Sequence, residues 1–89
     1  MVKEKINMEK ITKEIEKIKK NFNGSEKNPY RVIIVNNNCE WENRAYPVLP
    51  LARAVCAEFW TNKGAYAVEG FHVDDKGKIV VDYHALRNF

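Results

Sequence analysis

The sequence predicts an α+β domain in which two helices pack on a three- or four-stranded sheet, in the order α-β-(β)-α-β-β. Three observations predict it. Met8, Ile11, Ile15, Ile18 and Phe22 recur at helical spacing near the start of the chain. A β-branched run, Val32-Ile33-Ile34-Val35, lies between a proline and three asparagines. Near the end, two stretches rich in Val, Ile, Phe and Tyr flank Asp74-Asp75-Lys76-Gly77, the composition of a hairpin turn.

Each element follows from local chemistry. Residues 2–22 read as an amphipathic helix with a narrow apolar seam, Asn7 as its N-cap, and Val2 and Ile6 as a further turn before the cap. Lys17, Lys19 and Lys20 suit the negative end of its dipole, and Asn21 to Gly24 supply the stop. Asn23 to Pro29 is a polar connector. Tyr30 to Asn36 reads as a strand buried on both faces, hence central in its sheet. After an Asn36–Asn38 turn, Cys39, Trp41 and Ala45 alternate with Glu40, Glu42 and Arg44, the pattern of an antiparallel return strand; an ordered loop is the competing reading. Pro47 and Pro50 bracket the entry to a second helix over Leu51 to Asn62, with Gly64 as its stop. Its apolar stripe is Leu51, Ala52, Val55, Cys56, Phe59 and Trp60, and the small Ala54 and Ala57 would allow close approach to a sheet. Ala65 to Val73 and Lys78 to Leu86 form the hairpin.

The hairpin register decides which side chains meet. With all four turn residues looped out, Glu69 would face Asp82 across the ladder, a like-charge pair. With Asp74 facing Lys78 and Gly77 as a G1 bulge, Glu69 falls opposite Tyr83 and Asp82 opposite Gly70. This register gathers Ala67, Phe71, Val73, Ile79, Val81 and Tyr83 on one inward face, and it is the one the sequence favours. The other face then holds Tyr66, Val68, Gly70, His72, Val80, Asp82, His84 and Leu86, bringing both histidines of the protein together around one carboxylate.

Composition narrows the function classes. The 89 residues make a single domain, 1–89, with a basic amphipathic helix and connector over 1–28 and an α+β core over 29–89. At 45% hydrophobic and 30% charged, the chain has globular composition. No apolar run approaches the roughly 18 residues of a membrane span. The opening residues, MVKEKINMEK, hold no apolar segment of the kind that directs export, so a cytoplasmic protein is expected, and two cysteines fit a reducing compartment. Residues 1–28 hold eight lysines against five glutamates and so carry the whole net charge of +3, while the rest of the chain is neutral.

Three candidate surfaces emerge. His72, Asp82 and His84 offer imidazole and carboxylate donors for a divalent metal; the simpler alternative is a polar sheet face with an Asp–His hydrogen bond. Lys10, Lys13, Lys17 and Lys20 form a stripe opposite the apolar seam that could track phosphates; the alternative is a solvated helix pole, with Glu9–Lys13 and Glu16–Lys20 as ordinary i,i+4 pairs. Tyr66, Val68, His72, Val80 and His84 make a half-apolar outer sheet face suited to a protein partner or a second copy, provided both helices pack on the opposite face. Cys39 lies beside Glu40 and Glu42, which disfavour a thiolate, and the scattered glycines form no phosphate loop. No enzyme signature and no cofactor motif is present. The sequence therefore favours a small intracellular interaction or regulatory protein that binds a protein partner or itself. Nucleic-acid binding through the lysine stripe is the second reading, and a metal-dependent enzyme at the His/Asp cluster the third.

Overall fold

The computed structural model describes residues 8–22 and 27–87, so the expected Asn7 cap and the extra turn at Val2 and Ile6 lie outside the described residues. Helix α1 runs Met8–Lys20, strand β1 Tyr30–Val35, strand β2 Trp41–Tyr46, helix α2 Leu49–Ala57, strand β3 Ala67–Val73 and strand β4 Ile79–Leu86. The four strands form one antiparallel sheet in the order β2-β1-β3-β4. The fold is α+β, and the segment after the asparagine turn is a strand. Asn36 shapes that turn: its side-chain Oδ1 accepts the N–H groups of Asn38 and Glu40 at 2.8 and 3.0 Å. Cys39 follows at φ 66°, in the left-handed region.

Strand β1 is central and buried because its β-branched side chains alternate between two cores. Ile33 and Val35 join Ile11 and Ile15 of α1 with Ala67 and Phe71 of β3. Val32 and Ile34 join Ala52 and Cys56 of α2 with Ala65 and Val68. Each fully buried side chain of this size contributes about 1.5–3 kcal/mol of transfer free energy. The helices therefore cover opposite faces of the sheet. This agrees with the reading of β1 as buried on both faces, and the condition for a bare outer face, both helices on one side of the sheet, is not met.

Helix α2 starts two residues earlier than its apolar stripe suggested, with Pro50 in its first turn. It then widens into a π-helical turn, Glu58–Asn62, closed by the Lys63 N–H donating to the Glu58 carbonyl at 3.2 Å. Gly64, at φ +63°, ends it. Ala54, Ala57 and Leu51 face solvent rather than the sheet. Close approach comes instead from Ala52 and Cys56, with Cys56 set over Gly70. A Cβ on Gly70 would lie 3.1 Å from Cys56 Sγ and 3.3 Å from Tyr83 Cβ. Arg87 ties the end of β4 to this region, donating to the carbonyls of Ala65 and Trp60 at 2.8 Å each.

The β3–β4 hairpin follows the favoured register only near its turn. Asp74 N–H donates to Lys78 O at 2.8 Å, and Val73, His72 and Phe71 face Ile79, Val80 and Val81. Asp82 is then an extra residue, a β-bulge, so Gly70 faces Tyr83 and Glu69 faces His84. Past the bulge every β4 side chain changes face. Tyr83 joins the α2 core, and Leu86 joins the α1 core. The expected pairs Glu69–Tyr83 and Gly70–Asp82 do not form.

Candidate functional site

The bulge separates the two histidines. His72 lies on the α2 side, half-buried, with Nδ1 2.7 Å from Asp82 Oδ2 and its ring 5.0 Å from that of Tyr30. This is the plain Asp–His hydrogen bond set above as the alternative to metal binding. His84 lies on the α1 side, where its Nδ1 meets Glu69 Oε1. The expected convergence of His72, Asp82 and His84 is thus corrected, because one extra residue in β4 reverses the parity of everything after it. Among the described residues no group of three His, Cys, Asp or Glu side chains could hold a metal ion.

On the α1 side the sequence missed a buried charge cluster. Glu69 is 2% exposed and Lys19 6%. Lys19 Nζ donates to Glu69 Oε2 at 2.8 Å, while Glu69 Oε1 takes His84, so the two carboxylate oxygens serve two partners. Glu16 reaches the same ammonium at 3.4 Å from the solvent side. Burial works against the Lys19 charge, but the hydrogen bond and charge of Glu69, aided by Glu16, outweigh it and raise the Lys19 pKa above its ordinary value. The signal for this cluster was present in the sequence: Lys19 stands four residues after Ile15 on the apolar seam, and Glu69 stands between Ala67 and Phe71 at inward parity. The cluster clamps α1 to β3. It also fixes one nitrogen of an imidazole whose side chain is 59% exposed, an arrangement seen in general bases. The cleft beside α1 does not include it, however. A cleft of about 320 Å³ between α1 and the β1–β2 half of the sheet is lined by Glu14, Lys17, Asn21, Arg31 and Asn43 among others, and not by His84.

Cys56 is fully buried in the α2 core. Burial, aided by the charge of Asp82, pushes its thiol up to about 12. Lys10, Lys13, Lys17 and Lys20 are all exposed on α1, with Lys17 also lining that cleft.

The expected partner face, Tyr66, Val68, His72, Val80 and His84, does not exist as one surface. Val68 is buried beneath α2, and Tyr66 packs at the margin of the α1 core. Val80 and His84 are exposed, but on opposite faces. What remains open is an edge. Ile79, Val80 and Val81 are consecutive and 38%, 37% and 48% exposed, and no described strand pairs with the outer side of β4. The Asp74–Lys78 hydrogen bond sets the alternation of the ladder: the Val80 main-chain groups face β3, and those of Ile79 and Val81 face outward. The opposite edge, β2, carries Glu42 and Arg44, ion-paired at 2.9 Å.

No helix among the described residues is long and apolar enough to cross a membrane. No protein-family model, curated protein or solved structure matches the chain.

Proposed function

We propose that the protein is an interaction module that takes up an extended protein segment along the outer edge of β4. One observation carries this reading: a three-residue β-branched run, Ile79-Val80-Val81, sits exposed on an edge strand without charge or proline between its ends. Edge strands are ordinarily blunted by such residues because unpaired N–H and C=O groups recruit other strands. An edge left apolar on both faces supports strand addition, in which main-chain bonds supply affinity and side chains supply selectivity.

The test is selection from a displayed library of short random peptides, followed by an Ile79→Pro variant. Proline is tolerated on an edge strand where its missing N–H faces solvent, so the internal ladder is kept. Selected peptides should bind the native protein and lose at least tenfold in affinity for the variant. Peptides that bind both equally would refute the reading, as would a selection that yields no binder.

A second reading, nucleic-acid binding along α1, is supported by the exposure of Lys10, Lys13, Lys17 and Lys20. It requires affinity that falls steeply with salt and that disappears in a Lys13→Glu/Lys17→Glu variant. Weak or salt-insensitive binding of a duplex probe would end it.

A further inference from the structure

We infer that the strand received at the β4 edge is β4 of a second copy, antiparallel to the first about a two-fold axis at Val80; this rests on the strand-addition reading above. An axis there sets Ile79 of one copy opposite Val81 of the other, and Val80 opposite Val80. The outward main-chain groups belong to Ile79 and Val81, so each Ile79–Val81 pair exchanges both of its N–H···O=C bonds across the junction. Val80, whose own groups are committed to β3, falls at the non-bonded position that a two-fold through it demands.

Side chains and charges agree with that register. Ile79 and Val81 of both copies meet on the α1 side of the joined sheet, and the two Val80 side chains meet on the other, so all six exposed β-branched residues are covered by one another. By residue count Lys78 of each copy faces the bulge residue Asp82 of its partner, whose carboxylate is already held by His72 at 2.7 Å, so the charges there are of favourable sign without a new ion pair. Moving the axis to Ile79 would instead set Lys78 against Val80 and Gly77 against Val81. The Asp82 bulge also limits the contact. Beyond it the Tyr83 main-chain groups turn back toward Gly70, so the new ladder ends where the apolar run ends.

The test joins oligomeric state to register. Light scattering at concentrations up to millimolar should report twice the 10.4 kDa chain mass, and Ile79→Pro and Val81→Lys should each weaken association at least tenfold. In a Cys39→Asn background, Val80→Cys should cross-link to itself under mild oxidation, because a non-bonded antiparallel pair places its Cα atoms about 4.5 Å apart, within disulfide range. Ile79→Cys should not, because its two copies are diagonal neighbours at roughly 7–8 Å. A strictly monomeric native protein overturns the self-pairing while leaving peptide capture to its own test. A dimer that survives Val81→Lys, or that cross-links through Ile79→Cys and not Val80→Cys, overturns it too. Should Ile79→Pro unfold, as circular dichroism would reveal, Val81→Lys and the cross-linking pair still decide.

Discussion

Replacing Lys19 with methionine keeps the length and apolar stem of the side chain but removes the ammonium that faces Glu69. The carboxylate, 2% exposed, then keeps only His84 as a partner. Breaking a buried ion pair by deleting one member costs about 3–5 kcal/mol, because the remaining charge stays desolvated. At the usual stability per residue, a chain of 89 residues is held by only about 4–13 kcal/mol in total. Lys19→Met should therefore lower the melting temperature by about 12 °C or more and bring the fold close to its threshold. Glu69→Leu alone strands the Lys19 ammonium in the same way. The double variant Lys19→Met/Glu69→Leu removes both charges, leaves the exposed His84 free to turn to water, and should recover to within about 1–2 kcal/mol of the native protein or exceed it. Urea unfolding of the four proteins, followed by far-ultraviolet circular dichroism, closes the cycle. A Lys19→Met variant within about 1 kcal/mol of the native protein would refute the argument, as would additive single effects in the double variant.

Three further outcomes follow from the same geometry. Gly70→Ala should cost about 1–3 kcal/mol by crowding Cys56 Sγ and Tyr83 Cβ, and adding Cys56→Ala should recover part of that loss in thermal melts, since the new methyl enters the space that sulfur leaves. Titration with a thiol reagent at about pH 8 should label Cys39 promptly and Cys56 only after denaturant, because a thiol with a pKa of about 12 is roughly one part in ten thousand thiolate there; two prompt equivalents would contradict the burial of Cys56. Stability should fall in alkali. The unfolded chain gives up the Cys56 proton near 9.0 while the fold holds it to about 12, so the decline begins above 9.0. The raised Lys19 pKa adds a second loss above its ordinary value of 10.5, as the pH climbs through the folded value. Cys56→Ala should remove the first limb and Lys19→Met the second, read as urea midpoints against pH.

The elements were legible because each has a strong local signal. The α1 seam, the β-branched β1 run and the Asp74–Gly77 turn all stand where periodicity and turn chemistry put them. The site was legible only in part. Turn chemistry set the first three pairs of the hairpin correctly, but nothing at Asp82 marks a bulge: no glycine or proline sits there, and the residue earns its place through a hydrogen bond to His72, ten positions away. That one insertion moved His84 from Asp82 to Glu69 and dissolved the expected histidine cluster. The Lys19–Glu69 pair escaped for a different reason. Pattern reading assigns charged side chains to water, and here two opposite charges occupy apolar-facing positions fifty residues apart, a coincidence that only the packed α1–β3 contact reveals.

The two margins of the sheet are unlike, and the difference sets an upper bound on what the molecule can build. An arriving backbone at β2 would have to dehydrate the Glu42–Arg44 ion pair, whereas β4 presents hydrocarbon and bare amides. A building block with one receptive side and one guarded side adds once and then has nowhere to grow. On the pairing proposed above, union of two receptive sides about a dyad would leave only guarded ones outward, the condition for finite particles rather than fibrils.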